Sequence, residues 1–304
     1  MAANLYSHKD SNVRKTWFLI TVFLLLVIGF GWVLSYVFDN VAILAIAVIV
    51  SIAMSVGSYW WSDKLVLSMT GAKEASPQEY SELHRIVENL AITAGLPKPK
   101  IYVLHESAPN AFATGRDPEH AVVAVTTGLL DRLERVELEG VLAHELSHIG
   151  NRDMLVSTVV VVLAGVIIFA SDILMRSFLF GGMRGDDRKG SAIFLAIGIV
   201  ALILAPILAT ILRLAVSRKR EFLADASGAL LTRYPDGLAR ALEKIAADPT
   251  PMRRASNATA HLFIANPFKK DVRGHAQEPN WFTKLFMTHP PTSARIRALR
   301  GMQE

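Results

Sequence analysis

The chain has 304 residues, 52% of them hydrophobic and 19% charged, with a net charge of +5 and no cysteine. So large an apolar share points to a membrane protein, and the missing thiols exclude disulfides, a cysteine nucleophile and any metal site built on thiolates. The basic residues form short clusters beside apolar runs, not a basic face with interleaved aromatics, which argues against a nucleic-acid partner.

In chain order, Trp17–Phe38 is the first run without a charge, 22 residues long, enough for a helix of roughly 30 Å. It is too long for a cleaved signal peptide, no small-x-small cleavage site follows, and a second span starts at once. That second span, Val41–Ser62, ends in Tyr59, Trp60 and Trp61, at the depth where aromatic rings prefer to sit. Residues 1–62 are therefore read as a tail and a transmembrane hairpin.

Residues 63–153 read as the first piece of a soluble domain. Ser76-Pro77-Gln78-Glu79 has the pattern of a capping box. Leu83, Ile86, Val87 and Leu90 then recur at helical spacing, and Gly95 is placed to close the helix. Two β-type runs follow, Lys100–Leu104 and Ala121–Thr126, separated by Asn110-Ala111-Phe112-Ala113-Thr114-Gly115. A small sheet here would have an edge on which an extended substrate could pair, although a plain structural hairpin fits as well.

From Val136 to Asp153 the positions of Leu138, Val141, Leu142, Leu146 and Ile149 predict a helix. His144 and His148 then share one face, one turn apart, so both imidazoles can converge on a tetrahedral zinc while Glu145 stands beside it as general base. An amphipathic helix with two surface histidines has the same pattern. Met154–Ser171 and Gly190–Leu212 supply two more apolar stretches, the last interrupted by Pro206, which a membrane helix tolerates as a kink. Residues 154–212 thus read as a second hydrophobic hairpin, for four spans in all.

Lys9, Arg14 and Lys15 before the first span, and Arg213, Arg218, Lys219 and Arg220 after the fourth, put both soluble faces in the cytoplasm by the positive-inside rule. The loop between spans three and four disagrees, with Arg176, Arg184, Arg188 and Lys189. If the zinc helix runs on into the third span, the six residues from His148 to Met154 rise roughly 9 Å, and the metal stands just above the cytoplasmic leaflet.

The last piece, residues 213–304, carries Glu221 and Asp225 four residues apart on one predicted helix face. Glu221 is a candidate third ligand, and Asp225 a candidate to orient a ligand histidine; a solvated face paired with Arg218 and Lys219 is the alternative. Residues 248–288, with HLFIANPF at 261–268, read as a long flexible loop that touches bilayer or substrate, or as an ordinary packed one. His289 precedes two prolines that suit a turn before a helix.

HELSHIGNRD followed by an apolar hairpin, then RKREFLADASGALLT and THPPTSARIRAL, resembles the bacterial HtpX membrane metalloproteases and, more distantly, the CAAX prenyl proteases of the same gluzincin clan. The resemblance covers nearly the whole chain, including the two N-terminal spans and NAFATG. It implies one zinc ion per chain on His144, His148 and Glu221, Glu145 as general base and Asp225 as support. His289 would stabilise the oxyanion and Arg295 would support the site. The fold it implies is a mainly α integral membrane protein of the bacterial inner membrane, with four transmembrane helices and a zincin-like α+β catalytic domain, containing a small β-sheet, that faces the cytoplasm. Its substrates would be misfolded membrane proteins and unfolded polypeptides. A non-proteolytic scaffold or holdase of the same fold is the rival class, and loss of a ligand or of Glu145 would favour it; neither is lost. A transporter would want ionisable residues inside the spans, and these four hold almost none.

Overall fold

The computed structural model describes residues 5–37, 39–160, 218–256, 259–268 and 290–302. Most of the third predicted span, all of the fourth, the charged loop between them and His289 lie outside the described residues.

Helices α1 (Leu5–Val37) and α2 (Val41–Trp60) pack together as a hairpin closed at Asn40, whose Oδ1 accepts the N–H of Ala42 at 3.0 Å. α1 begins well before the uncharged run. Charge bars a residue from hydrocarbon, not from a helix, and Lys and Arg are good helix formers. Within the hairpin, Asp10–Tyr36 and Val41–Trp60 are long and apolar enough to cross a membrane. Phe18, Leu25, Trp32, Ile46, Ile49 and Ile52 project outward from it, exposed, and Trp17 stacks on Tyr59 with centroids 5.8 Å apart. The second helix stops short of the predicted Ser62; the chain bends at Trp61, and a new helix, α3 (Ser62–Thr70), begins there.

The capping box expected at Ser76 does not form. Its Oγ turns to Gln78 Oε1 (2.8 Å), residues 77–79 make a single turn, and α4 (Ser81–Ala94) starts two residues after Glu79. At the far end Gly95 closes α4 with φ 65°, a left-handed conformation that suits glycine because it has no Cβ.

The sheet joins β1 (Lys73–Glu74), β2 (Lys100–Leu104), β3 (Ala111–Thr114) and β4 (Val122–Thr126) in the order β1-β2-β4-β3. β2 and β4 run parallel, so the two predicted runs are not a hairpin; β3 pairs antiparallel with β4, Ala111 opposite Val125. β3 was hidden in the sequence because Ala-Phe-Ala-Thr is weak in β-branched residues and is buried throughout, leaving no alternation to read.

The pleat sends alternate residues to opposite faces. Ile101, Val103, Val123 and Val125 join the main core with Leu83, Ile86, Val87 and Leu90 of α4. Leu104, Phe112 and Ala124 face a second cluster with Val66 of α3, Met252 and Phe263. Phe112 meets Phe263 edge to face at 5.2 Å. With both faces covered, β4 reads as an unbroken apolar run, Val-Val-Ala-Val.

The short α5 (Thr127–Arg132) leads into α6 (Arg135–Gly150), the helix of the histidine pair. Val141, Leu142, Leu146 and Ile149 sink into the main core. α6 does not run on to Asp153: Asn151 caps it, Arg152 takes φ 55°, and helix α7 resumes over residues 153–160. The continuous helix behind the 9 Å estimate is therefore absent. α8 (Arg218–Thr232), α9 (Pro235–Ala247) and α10 (Thr292–Arg300) complete the described helices; α8 and α9 pack on α6, and α10 packs on both of them. The HLFIANPF stretch is no free loop. Phe263 and Ile264 are buried, and Ile264 N–H donates to the Ala111 carbonyl at 2.9 Å along the outer edge of β3.

Candidate metal centre

α6 places His144 and His148 one turn apart with rings crossed edge to face, centroids 4.7 Å apart. α8 lies so close alongside that a Cβ at position 228 would stand 3.0 Å from the His144 backbone nitrogen and 3.2 Å from its Cα, so any residue but glycine would push the two helices apart by a few tenths of an ångström. That approach brings Glu221 across. His144 Nε2 lies 3.2 Å from His148 Nε2 and 3.8 Å from Glu221 Oε2, and His148 Nε2 lies 3.6 Å from Glu221 Oε1. His144, His148 and Glu221 form the one group of three such donors able to hold a metal among the described residues.

Behind each imidazole stands a carboxylate. His144 Nδ1 is 3.0 Å from Asp225 Oδ1, and His148 Nδ1 is 3.1 Å from Asp153 Oδ2. A proton on each Nδ1 serves those bonds and leaves the Nε2 lone pairs aimed at each other and at Glu221. Three acceptors thus converge, and Arg295 already presses positive charge on them, its Nη2 3.4 Å from His144 Nε2; such a set calls for a cation. Tetrahedral zinc, with bonds of roughly 2.0–2.2 Å, holds its ligand atoms roughly 3.3–3.6 Å apart; the separations here are 3.2–3.8 Å, the two from Glu221 measured to different oxygens, near that range, and a His-His-Glu donor set suits zinc chemically.

The protonation of the site reflects the same demand. Burial and the nearby Arg295 charge bring His144 down to about 4, against the pull of Asp225. Burial also lowers His148, but the hydrogen bond to Asp153 and the charges of Glu221, Asp153 and Glu145 outweigh it and raise the ring to about 9. Without metal, then, His148 carries the positive charge and His144 stays neutral. Asp225 is held at about 2: burial would raise it, but hydrogen bonds from His144 and Arg295 prevail.

Arg295, on α10, is fully buried and grips Asp225 with both arms, Nε to Oδ2 at 2.9 Å and Nη2 to Oδ1 at 2.7 Å. Its Nη1 donates to the Ile264 carbonyl at 3.1 Å and lies 3.8 Å from Glu221. The bidentate fork is a geometry lysine could not reproduce. Glu145 is buried on α6 between the histidines, and its charge acts on both His148 and Arg295.

Asp153 escaped the sequence analysis, although it closes the quoted HELSHIGNRD. Five residues on, a continuous helix would carry it roughly 140° around the axis from His148, and only the break at Arg152 returns it to the ring. Arg220, counted in the sequence as a membrane-flanking charge, is instead turned inward, with Nη1 3.4 Å from Asp153 Oδ1.

The profile of peptidase family M48 matches residues 77–303. Proteins named Protease HtpX homolog are similar along almost the whole length. The one from Thermoanaerobacter pseudethanolicus is 47% identical over 308 residues, covering 98% of both chains. That from Pyrococcus furiosus is 48% identical over 277 residues, 90% of both, and that from Streptococcus gordonii 42% over 305, covering 98% of this chain and 100% of its own. The crystal structure of S. mikatae Ste24p superposes with a TM-score of 0.49 at 19% identity, covering 94% of this chain and 66% of that one, so the chain spans less than two thirds of that protein's length. With a family match over most of its residues and relatives at this level of identity, the chain belongs to peptidase family M48 and is a metallopeptidase.

Proposed function

We propose that the protein is a zinc-dependent endopeptidase of the bacterial inner membrane that cleaves misfolded or damaged membrane proteins and unfolded polypeptides. The observation that carries this reading is the convergence of His144 Nε2, His148 Nε2 and Glu221 on one point, each histidine backed by its own carboxylate. Zinc bound there would polarise a peptide carbonyl and acidify a water molecule. Glu145 would take the proton from that water as its oxygen attacks the carbonyl carbon, then pass it to the amine nitrogen as the C–N bond breaks. Arg295 would act at a distance by holding Asp225 and Glu221. From the resemblance alone, His289 would stabilise the oxyanion.

The edge of the sheet supports the choice of an extended polypeptide as substrate. Asn110 accepts the N–H of Thr126 at 3.0 Å, so by the antiparallel alternation Phe112 and Thr114 pair with β4, while Ala111 and Ala113 direct their N–H and C=O outward. Ile264 takes the Ala111 carbonyl, whereas no hydrogen bond engages the outward groups of Ala113 among the described residues. Ala113 is itself buried (6% exposed), so a substrate strand would add there only by displacing what covers the edge, with no demand on its own side chains, which suits broad specificity.

The exposed apolar surface of the α1–α2 hairpin supports membrane insertion. Four spans, with 63–153 and 213–304 sharing one cytoplasmic domain, remain the topology favoured by the flanking charges. The test compares zinc-loaded wild type with Glu145→Gln in detergent, following both bound zinc and cleavage of an unfolded model protein. We expect the variant to keep its zinc and lose cleavage; a wild type that binds no zinc, or equal cleavage by both forms, would sink the reading.

A further inference from the structure

Asn12 lies near the start of α1, the first apolar helix, yet its side chain is almost wholly buried (2% exposed). A buried amide left unsatisfied is costly, and this one is satisfied entirely by the region behind the metal centre. Its Nδ2 donates to Asp153 Oδ1 at 2.8 Å and to the Asn151 carbonyl at 3.0 Å, and its Oδ1 lies 3.5 Å from Arg220 Nη1. Arg220 also lies 3.4 Å from Asp153 Oδ1. The second oxygen of Asp153 is the one 3.1 Å from His148 Nδ1.

An aspartate carboxylate turns freely about its last bond unless something holds it. Here Asn12 and Arg220 hold one oxygen, and that fixes the direction of the other. The aimed oxygen sets the tautomer and tilt of the His148 ring, which together decide where its Nε2 lone pair points.

We propose that Asn12 is a positioning residue of the metal site, through which the first apolar helix orients His148 by way of Asp153. This rests on the zinc-peptidase reading above. On this view the α1–α2 hairpin is more than an anchor, because the site reaches full affinity only when α1 is docked against α7 and the Asn151 turn. The rival account makes Asn12 a packing residue that merely ties α1 to the Asn151–Arg152 turn.

The test measures zinc affinity of the full chain in detergent by competition with a chromophoric chelator at one fixed pH. Outer partners of ligand histidines are worth 10–100-fold in metal affinity. One step further out, Asn12→Ala is expected to weaken zinc by about tenfold. Thr16→Val is the control on the same helix, since Thr16 Oγ1 bonds only the Asn12 carbonyl (3.0 Å), and it should leave affinity within about twofold. In an Asp153→Asn background, Asn12→Ala should cost nothing further, because its route to the histidine is already cut. Should Asn12→Ala fail to fold, Asn12→Asp removes the Nδ2 donor at equal volume and should show at least the same loss.

Wild-type affinity in Asn12→Ala, or an equal loss in both backgrounds, would overturn the inference in favour of packing. A wild type that binds and cleaves while Asn12→Ala is unchanged defeats this inference alone. A wild type without zinc defeats the peptidase reading and this inference with it.

Discussion

Asp225 faces His144 Nδ1 at 3.0 Å with the same oxygen that receives Arg295 Nη2 at 2.7 Å, so one sealed carboxylate serves both His144 and a buried cation. Removing its charge alone should do two kinds of damage. Asp225→Asn leaves the Arg295 charge without its bidentate partner, and breaking one side of a buried pair costs about 3 kcal/mol; thermal unfolding of the metal-free protein should register that loss. Zinc affinity should fall 10–100-fold, the usual worth of such a partner. The double variant Asp225→Asn/Arg295→Met should recover much of the metal-free stability and none of the affinity. If the single variant melts with wild type, the pair is not what joins α8 to α10.

The raised value of His148 predicts opposite pH trends for stability and for metal binding. In the metal-free protein, a ring moved from 6.5 to about 9 contributes stability that is fully present below pH 6.5 and is lost as pH rises through about 9. By linkage its share is roughly 3 kcal/mol. Zinc needs the neutral ring, so binding displaces that proton, and apparent affinity should climb about tenfold per pH unit from neutrality and flatten near 9. Denaturant unfolding with chelator present and zinc titrations across the same interval check both limbs. A flat affinity profile would mean that His148 is already neutral before metal arrives.

How much of this was legible in the sequence depended on the kind of signal. His144, Glu145 and His148, and likewise Glu221 and Asp225, are spaced by the helical repeat, so their shared faces could be read from sequence separation. Asp153 and Asn12 could not be. One depends on the helix break at Arg152, and the other pairs with a residue 141 positions away. β3 was missed because burial on both faces erases the alternation that marks a strand, and the Ser76 capping box was misplaced because its hydroxyl preferred a neighbouring side chain to the backbone. Local rules reach as far as one element; contacts between elements become visible only once the chain is folded.

Gly228 separates two effects that usually travel together. Replacing glycine by alanine inside a helix is worth roughly 0.5–1 kcal/mol in its favour, and overpacking a tight contact costs about 1–3 kcal/mol. Gly228→Ala should therefore change metal-free melting little, while the shift of α8 away from α6 moves Glu221 off the histidines. Zinc sites tolerate about 0.2 Å in ligand distance, so affinity should drop several-fold, and Gly228→Val should lose far more. Equal zinc affinity in all three proteins would show that the close approach does not set the position of Glu221.

The outward-directed backbone groups of Ala113, buried with the rest of β3, supply the last test, because an edge strand accepts proline where its N–H faces outward. Ala113→Pro removes one outward donor and leaves the β3–β4 ladder and the three metal-site side chains alone. If the substrate strand pairs there, one hydrogen bond of about 0.5–1.5 kcal/mol is lost, and kcat/KM for an unfolded polypeptide should fall about 2- to 10-fold with zinc affinity unchanged. The loss should shrink for a short peptide that ends before it reaches Ala113. Unchanged kcat/KM on the long substrate, with the variant folded and zinc-loaded, would remove the sheet edge from substrate binding while leaving the metal centre as described.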